Sequence, residues 1–246
     1  MKKISWEVKL GLWLVLASVV LHCAHYLIFR DWHHVFIYLF GDIAFLPVEV
    51  LFVVLIIERL MTRREKLLMM DKLNMVINTF FSETGTRLLK LLISFDAELG
   101  SRQKYLKLQN SWTTKEFQAA HRLLEKSAFA IDIHRGQLEN LHLFLQKEKD
   151  FLVRLLENPI LLEHQTFTEM LWAVFHLEDE LAWRESLKNL PETDCEHLAN
   201  DIQRAYRLVL REWLSFLQHL QHSYPFLFSL AVRTNPFNPE ASPVVK

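Results

Sequence analysis

Glycine is scarce in this chain, 5 of 246 residues, and proline and cysteine number only 7 and 2. So few glycines leave little material for phosphate-cradling loops, tight hairpins or a doubly wound nucleotide fold. The G-x-G-x-x-G, Walker, G-x-S-x-G and H-E-x-x-H patterns are all missing. Cys23 lies in an apolar run and Cys195 in a distant polar helix start, so neither a structural disulfide nor a C-x-x-C site is expected. A charge of one sign is lacking too. The chain sets 28 Lys and Arg against 29 Asp and Glu, without the basic excess that general nucleic-acid binding wants.

What is plentiful is apolar, at 51% of residues, and it is unevenly placed. Leu10 to Phe29 contains no Lys, Arg, Asp or Glu, and about 20 helical residues rising about 1.5 Å each cover the bilayer hydrocarbon. The basic start followed by an apolar run resembles a signal peptide. No small-x-small cleavage site follows, however, and His22 before Cys23 spoils a lipoprotein box, so the run reads as an anchor. After the polar link Arg30 to His34, the run Val35 to Ile57 is again long enough to span, although it holds Gly41, Asp42, Pro47 and Glu49. So short a link makes the pair an antiparallel hairpin. Lys2, Lys3 and Lys9 precede the first span and Arg59, Arg63, Arg64 and Lys66 follow the second, so both termini are expected in the cytoplasm. Trp6 and Trp32 are placed as interfacial anchors.

From Glu58 the chain turns polar with helical periodicity, and Met69, Leu73, Val76 and Phe80 recur on one face. No proline or glycine interrupts Val48 to Thr84, so the second span is expected to continue as one helix to about Phe81. Adjacent copies would then pack through Leu73, Val76 and Phe80. Gly85 and the polar stretch Asp96 to Trp112 read as a weak point and a connector. Capping boxes pair Thr113 with Glu116, Thr166 with Glu169 and Thr193 with Glu196. Helices are predicted over 114–134, 137–157, 167–188 and 194–222. The last carries the stripe Leu198, Ile202, Ala205, Val209, Trp213, Phe216 and Leu220. No segment reads as a strand. Single apolar faces joined by short links give an antiparallel bundle, and the tail Arg233 to Lys246 reads as extended and mobile.

The strings GDIAFLPVEVLFV from Gly41, NMVINTFFSETG from Asn74, LWAVFHLEDELA from Leu171 and YPFLFSLAVRTNPFNPEASPVV from Tyr224 resemble an uncharacterised family of prokaryotic two-span membrane proteins. The resemblance implies the hairpin and a cytoplasmic helical part, and brings no activity or catalytic residue with it.

Ionisable groups inside a span cost about 2.5–3.5 kcal/mol each on insertion scales and usually face a bundle interior or water. Asp42 and Glu49 share one face of the second span, about 10 Å apart in depth. Folding the hairpin brings His22 to nearly the depth of Asp42, with His25 one turn nearer the outside. Two readings follow. Several copies could turn Asp42 and Glu49 toward a hydrated axis that selects cations. Alternatively, Asp42 pairs with His22 and Glu49 stays protonated or hydrogen-bonded, in a structural anchor.

Metal chemistry tempts at Glu139 and His142, at His219 with His222, and at His176 with Glu180. A di-iron bundle needs a second E-x-x-H, which is missing, so no metal is expected. Glu178, Asp179 and Glu180 read as a solvated face. Met69, Met70, Met75, Phe80 and Phe81 read as core or subunit interface. No nucleophile stands beside a base and no cofactor loop is present, so neither catalysis nor a cofactor is expected.

The sequence therefore predicts an all-α protein with an N-terminal transmembrane helical hairpin followed by a cytoplasmic antiparallel helical bundle. The divisions are a hairpin over 1–58 (spans about 10–29 and 35–57), an extension of the second span over 59–95, a bundle over 96–232 and a tail over 233–246. The inner membrane is the expected location and the bilayer and a homo-oligomer the expected partners. The functional expectation is a cation-conducting or ion-sensing pore, with a membrane-anchored scaffold or signalling adaptor for a cytoplasmic protein as the alternative.

Overall fold

The computed structural model describes residues 6–162 and 164–244. Lys2 and Lys3, counted in the cation bias, and the end of the tail at Lys246 lie outside the described residues. The chain divides into two compact units, Met1–Leu67 and Leu68–Lys246.

In the N-terminal unit, α1 runs over Trp6–Phe29, and α2 begins at Trp32 and extends to Phe80. The link is two residues rather than five, because Arg30 takes a left-handed φ of 50° and closes the turn at once. Asp31 then caps α2, its Oδ1 accepting the N–H groups of His33 and His34 at 2.9 and 3.2 Å. Near the turn His25 stacks on His34 and Tyr26 packs on Trp32. Between Leu10 and Ile57, thirty large apolar side chains are exposed. Two stretches, Lys9–Phe29 and one within Trp32–Ile93, are long and apolar enough to cross a membrane, and the apolar window of each is 0% buried inside the chain.

The C-terminal unit is helical, and its regular pairing among the described residues is a lone bridge between Asp96 and Ile131. After α2 comes a π-helical turn, Phe81–Gly85, then α3 (Thr86–Ile93), α4 (Leu99–Leu106), α5 (Thr114–Lys126), α6 (Leu138–Leu156), α7 (Pro159–Leu162), α8 (Gln165–Ala182), α9 (Glu192–Ser223) and α10 (Pro225–Arg233). Gly85 therefore marks a widened helical turn rather than a break. A side chain there would meet the Phe80 and Phe81 rings at 2.6 Å, so only glycine lets both rings close over the backbone.

Helix α9 is the axis of the unit, with α3, α5, α8, α10 and the π turn packed around it. All seven residues of its predicted stripe are buried, and so are Tyr206, Leu210, Leu214 and Leu217, because neighbours cover more than one face. The core also takes Phe80, Phe81 and Phe167, with Phe80 edge-on to Phe167 and Phe81 stacked on Phe216. Residues 73–95 thus belong to the bundle rather than to a separate extension of the second span: Leu73, Ile77, Leu88, Leu89 and Leu92 all lie in the same core.

Local signals account for some helix starts and not others. Thr113 and Glu116 form the expected capping box of α5. Thr166 does not cap α8, since His164 lies two residues earlier and its ring accepts the Phe167 N–H at 3.1 Å. Thr193 lies inside α9, which starts after Pro191. Helix α5 stops at Lys126 instead of 134, because Ala128–Asp132 is drawn out to bridge Phe95–Ala97. Helix α8 stops at Ala182 rather than 188, ahead of a loop in which Asn189 is left-handed at φ 55°. The connector 96–112 folds α4 within it. The tail is tied down over its first residues: Phe237 is fully buried near Trp213, and the Asn235 side chain donates to the Leu106 carbonyl at 2.7 Å.

A buried polar knot fixes this end of the unit. The Arg102 guanidinium grips both carboxylate oxygens of Asp96, donates to the Ala128 carbonyl at 2.9 Å and lies 4.3 Å from the Phe129 ring centre. Tyr206 donates to Asp96 Oδ2 at 3.0 Å. Burial opposes the charge on Arg102, but the hydrogen bond and attraction of Asp96 outweigh it and push the guanidinium pKa up. Burial, and then the Asp96 charge, push the Tyr206 phenol up as well.

Candidate functional site

The polar groups expected to work together in the spans are separated. His22 Nδ1 donates to the Ser18 carbonyl at 2.9 Å, which satisfies it within its own helix. His22 and His25 line a cleft of about 220 Å³ with Leu21, Val35 and Tyr38. Asp42 and Glu49 are exposed, and among the described residues neither makes a hydrogen bond or ion pair, so the His22–Asp42 contact is not formed. Leu73 and Phe80, expected between copies, are 3% and 0% exposed inside their own chain, and Val76 packs half-buried against that core. Helical periodicity shows which face is covered but not by what, and here the bundle of the same chain covers it. Met69, Met70 and Met75 stay exposed while Phe80 and Phe81 are core.

The acidic run on α8 is not one solvated face. Glu178 is buried and paired with Lys149 Nζ at 2.6 Å, and Asp179 reaches the same ammonium at 3.2 Å. The hydrogen bond to Glu178 outweighs burial and pushes the Lys149 pKa up. Glu180 turns the other way, toward α9, and takes part in the densest cluster of ionisable groups in the unit.

That cluster grows from helix geometry. His176 and Glu180 stand one turn apart on α8, and His197 and Asp201 one turn apart on α9. The helices are antiparallel here, so each histidine faces the other helix's carboxylate. His176 Nε2 lies 3.6 Å from Asp201 Oδ1 and 3.8 Å from Glu180 Oε1. His197 Nε2 lies 3.4 Å from Asp201 Oδ2 and 3.4 Å from Glu180 Oε2. Arg184 holds Glu180 Oε2 at 2.9 Å and is itself held by Asp194 at 2.7 and 2.9 Å. The Arg184 hydrogen bond pulls the carboxyl pKa of both Glu180 and Asp194 below the usual range. Arg204 Nη1 stands 3.4 Å from Asp201 Oδ1. Asp201 is 3% exposed, and its Oδ2 has no hydrogen-bond partner. One atom each from His176, Glu180 and Asp201 lie within 4.8 Å of one another, a spacing that can hold a metal ion.

Of these four residues the sequence singled out only His176 and Glu180. The signal that reaches the others is a second histidine–carboxylate pair four residues apart, His197 and Asp201, on the next helix; a search for E-x-x-H spacing passes over it. The other histidine pairs are not assembled with carboxylates in this way. His142 Nδ1 is buried without a partner, and burial, then His222, pushes the His219 pKa down. Beside the cluster a surface groove of about 630 Å³ runs along α9, lined by Arg204, Arg207 and Arg211 with Glu169.

Comparison with known proteins gives two adjacent family matches. The MJ1433 N-terminal helical domain matches residues 2–61, and the C-terminal helical domain of uncharacterized protein MJ1433 matches residues 69–233. The division between them falls where the two compact units meet. The uncharacterized protein MJ1433 of Methanocaldococcus jannaschii is 44% identical over 225 residues, covering 92% of this chain and 90% of that protein. No solved structure matches the chain.

Proposed function

We propose, for a chain that belongs to the MJ1433 family, a membrane-anchored helical scaffold: α1 and the first half of α2 cross the inner membrane with both ends in the cytoplasm, and the C-terminal unit works at its inner face. The observation that carries this reading is the thirty exposed large apolar side chains on all sides of two helices that bury none of their apolar windows. Covering such a side chain is worth about 1.5–3 kcal/mol when complete, so leaving them in water costs on the order of tens of kcal/mol. A helix apolar all round needs an apolar surrounding. Lys9, ahead of the apolar run of α1, and Arg59, Arg63, Arg64 and Lys66, beyond the apolar run of α2, supply the orientation. The arginine-lined groove on α9 suits an acidic surface of a cytoplasmic protein partner. Full-length protein should stay in the membrane pellet after alkaline carbonate washing; release into the supernatant would remove the anchor.

An oligomeric cation pore is a second reading, favoured by one observation: Asp42 and Glu49 are exposed and unpaired in a segment apolar enough to span. Association would hydrate both carboxylates. Copies would have to meet through the hairpin itself, since Leu73 and Phe80 are already used inside the chain. Asp42→Asn with Glu49→Gln removes the charge and nearly keeps the shape. The pore predicts a cation current in reconstituted bilayers that this double substitution abolishes, whereas the anchor predicts no current from either protein.

A further inference from the structure

The four-residue cluster between α8 and α9 has the wrong distances for what it lacks and the right ones for something else. A ring N–H donating to a carboxylate sits about 2.7–3.2 Å from the oxygen. All four histidine–carboxylate separations here are longer, 3.4 to 3.8 Å. Ligands about 2.1 Å from a shared tetrahedral ion are about 3.4 Å from one another. His176 faces Glu180 Oε1 and Asp201 Oδ1 while His197 faces the other oxygen of each carboxylate, so the donors that close on one centre are His176, Glu180 and Asp201, each offering an atom within 4.8 Å of the other two.

Charge and burial point the same way. Three carboxylates, Glu180, Asp194 and Asp201, face two guanidinium groups, Arg184 and Arg204, which leaves a negative excess when both histidines are neutral. Asp201 is almost wholly buried, and one of its oxygens, aimed at His197, has no hydrogen bond. A buried carboxylate oxygen without a partner is costly, and a cation removes the cost. Arg204 does not fill that role fully: it stands at 3.4 Å from the other oxygen, and its side chain is 58% exposed. Arg184, anchored by Asp194, grips Glu180 Oε2 and leaves Oε1 toward His176, which orients a ligand oxygen from behind.

We infer that His176, Glu180 and Asp201 form a binding site for one divalent transition-metal ion of the zinc class, which ties α8 to α9. His197 stands next to this set, 3.4 Å from the second oxygen of Asp201. An imidazole nitrogen with two carboxylates suits zinc, iron(II) or manganese(II), whereas calcium and magnesium prefer all-oxygen shells. The helices deliver the donors without a loop, because α8 contributes two a single turn apart and α9 the third. The inference goes beyond the membrane reading and does not depend on it.

The test is metal binding by the full-length protein, purified in detergent with a tag free of histidine and stripped with a chelator. Zn2+ titrated calorimetrically should bind at one ion per chain, and Co2+ should give the visible absorption of a four-coordinate N,O site that Zn2+ then bleaches. His176→Gln with His197→Gln should weaken Zn2+ binding about 100-fold or more. Both side chains are about half exposed, so these substitutions leave the core alone. Asp201→Asn should do the same where it folds, checked by circular dichroism, and His219→Gln with His222→Gln should leave the affinity unchanged. Zn2+ should also raise the melting temperature of the wild type but not of the His176/His197 double variant. Failure to take up one ion per chain, or uptake that survives loss of both His176 and His197, would overturn the site.

Discussion

Replacing Arg102 with methionine should remove the most consequential polar contact in the C-terminal unit. The guanidinium is 1% exposed; it meets both oxygens of an Asp96 side chain that is 0% exposed, and it also bonds the Ala128 carbonyl. Methionine fills much of the volume and rests on Phe129, so most of the loss is electrostatic rather than a cavity. What stays behind is a buried carboxylate that, among the described residues, accepts only from the Tyr206 hydroxyl at 3.0 Å and the Glu98 N–H at 2.9 Å, two neutral donors. Breaking a buried pair by removing one partner costs about 3–5 kcal/mol, against a whole-domain stability of about 5–15 kcal/mol. Urea titration of the full-length protein in detergent, followed by far-ultraviolet circular dichroism, should show a lower midpoint at unchanged slope, the shift multiplied by that slope giving a loss of that size. Adding Asp96→Asn to Arg102→Met removes the stranded charge and should recover part of the loss. A shift under about 1 kcal/mol, or a double variant no more stable than the single one, would refute the claim that charge pairing holds this knot.

The remaining predictions concern the tail and the histidines. Phe237→Ala should destabilise the C-terminal unit by about 3–5 kcal/mol in the same titration, because the ring is fully buried near Trp213. A mobile tail would give no change. His121 and His219 titrate below their ordinary value, each chiefly through burial; Glu125 and Glu212 partly offset this at His121, and Asp71 does at His219. The unfolded chain therefore binds protons more readily than the folded one, so the stability from these two is complete above about pH 6.5 and falls as the pH drops through the lower folded values. The melting temperature should decline on acidification over that range, and His121→Gln with His219→Gln should flatten the decline.

Much of the architecture is legible in local chemistry. The stripe on α9 has one period over its whole length and is buried throughout, and the Thr113 box starts α5 where its two side chains satisfy backbone donors. Other features depended on distant partners. Thr166 and Thr193 have the same box pattern as Thr113, yet His164 and Pro191 start those helices instead, because capping is decided by the direction from which the chain arrives. Residues 128–132 look helical until Phe95 and Ala97 draw them out through backbone hydrogen bonds. Leu73 and Phe80 read as a sticky face, and no periodicity tells whether a second copy or α8 and α9 will cover it. The histidine–carboxylate cluster was half visible for the same reason: the spacing within one helix is local, but the pairing of α8 with α9 is tertiary.

Accessibility of single cysteines tests the membrane anchor most directly. Cys23 and Cys195 are first replaced by alanine, and one cysteine is then placed by His33→Cys, between the two apolar stretches, or by Trp183→Cys, whose side chain is 87% exposed on the C-terminal unit. A maleimide that cannot cross membranes should label the His33 position in intact cells and the Trp183 position only after permeabilisation. Equal labelling of both positions in intact cells, or of neither until the membrane is opened, would contradict a hairpin with both ends in the cytoplasm.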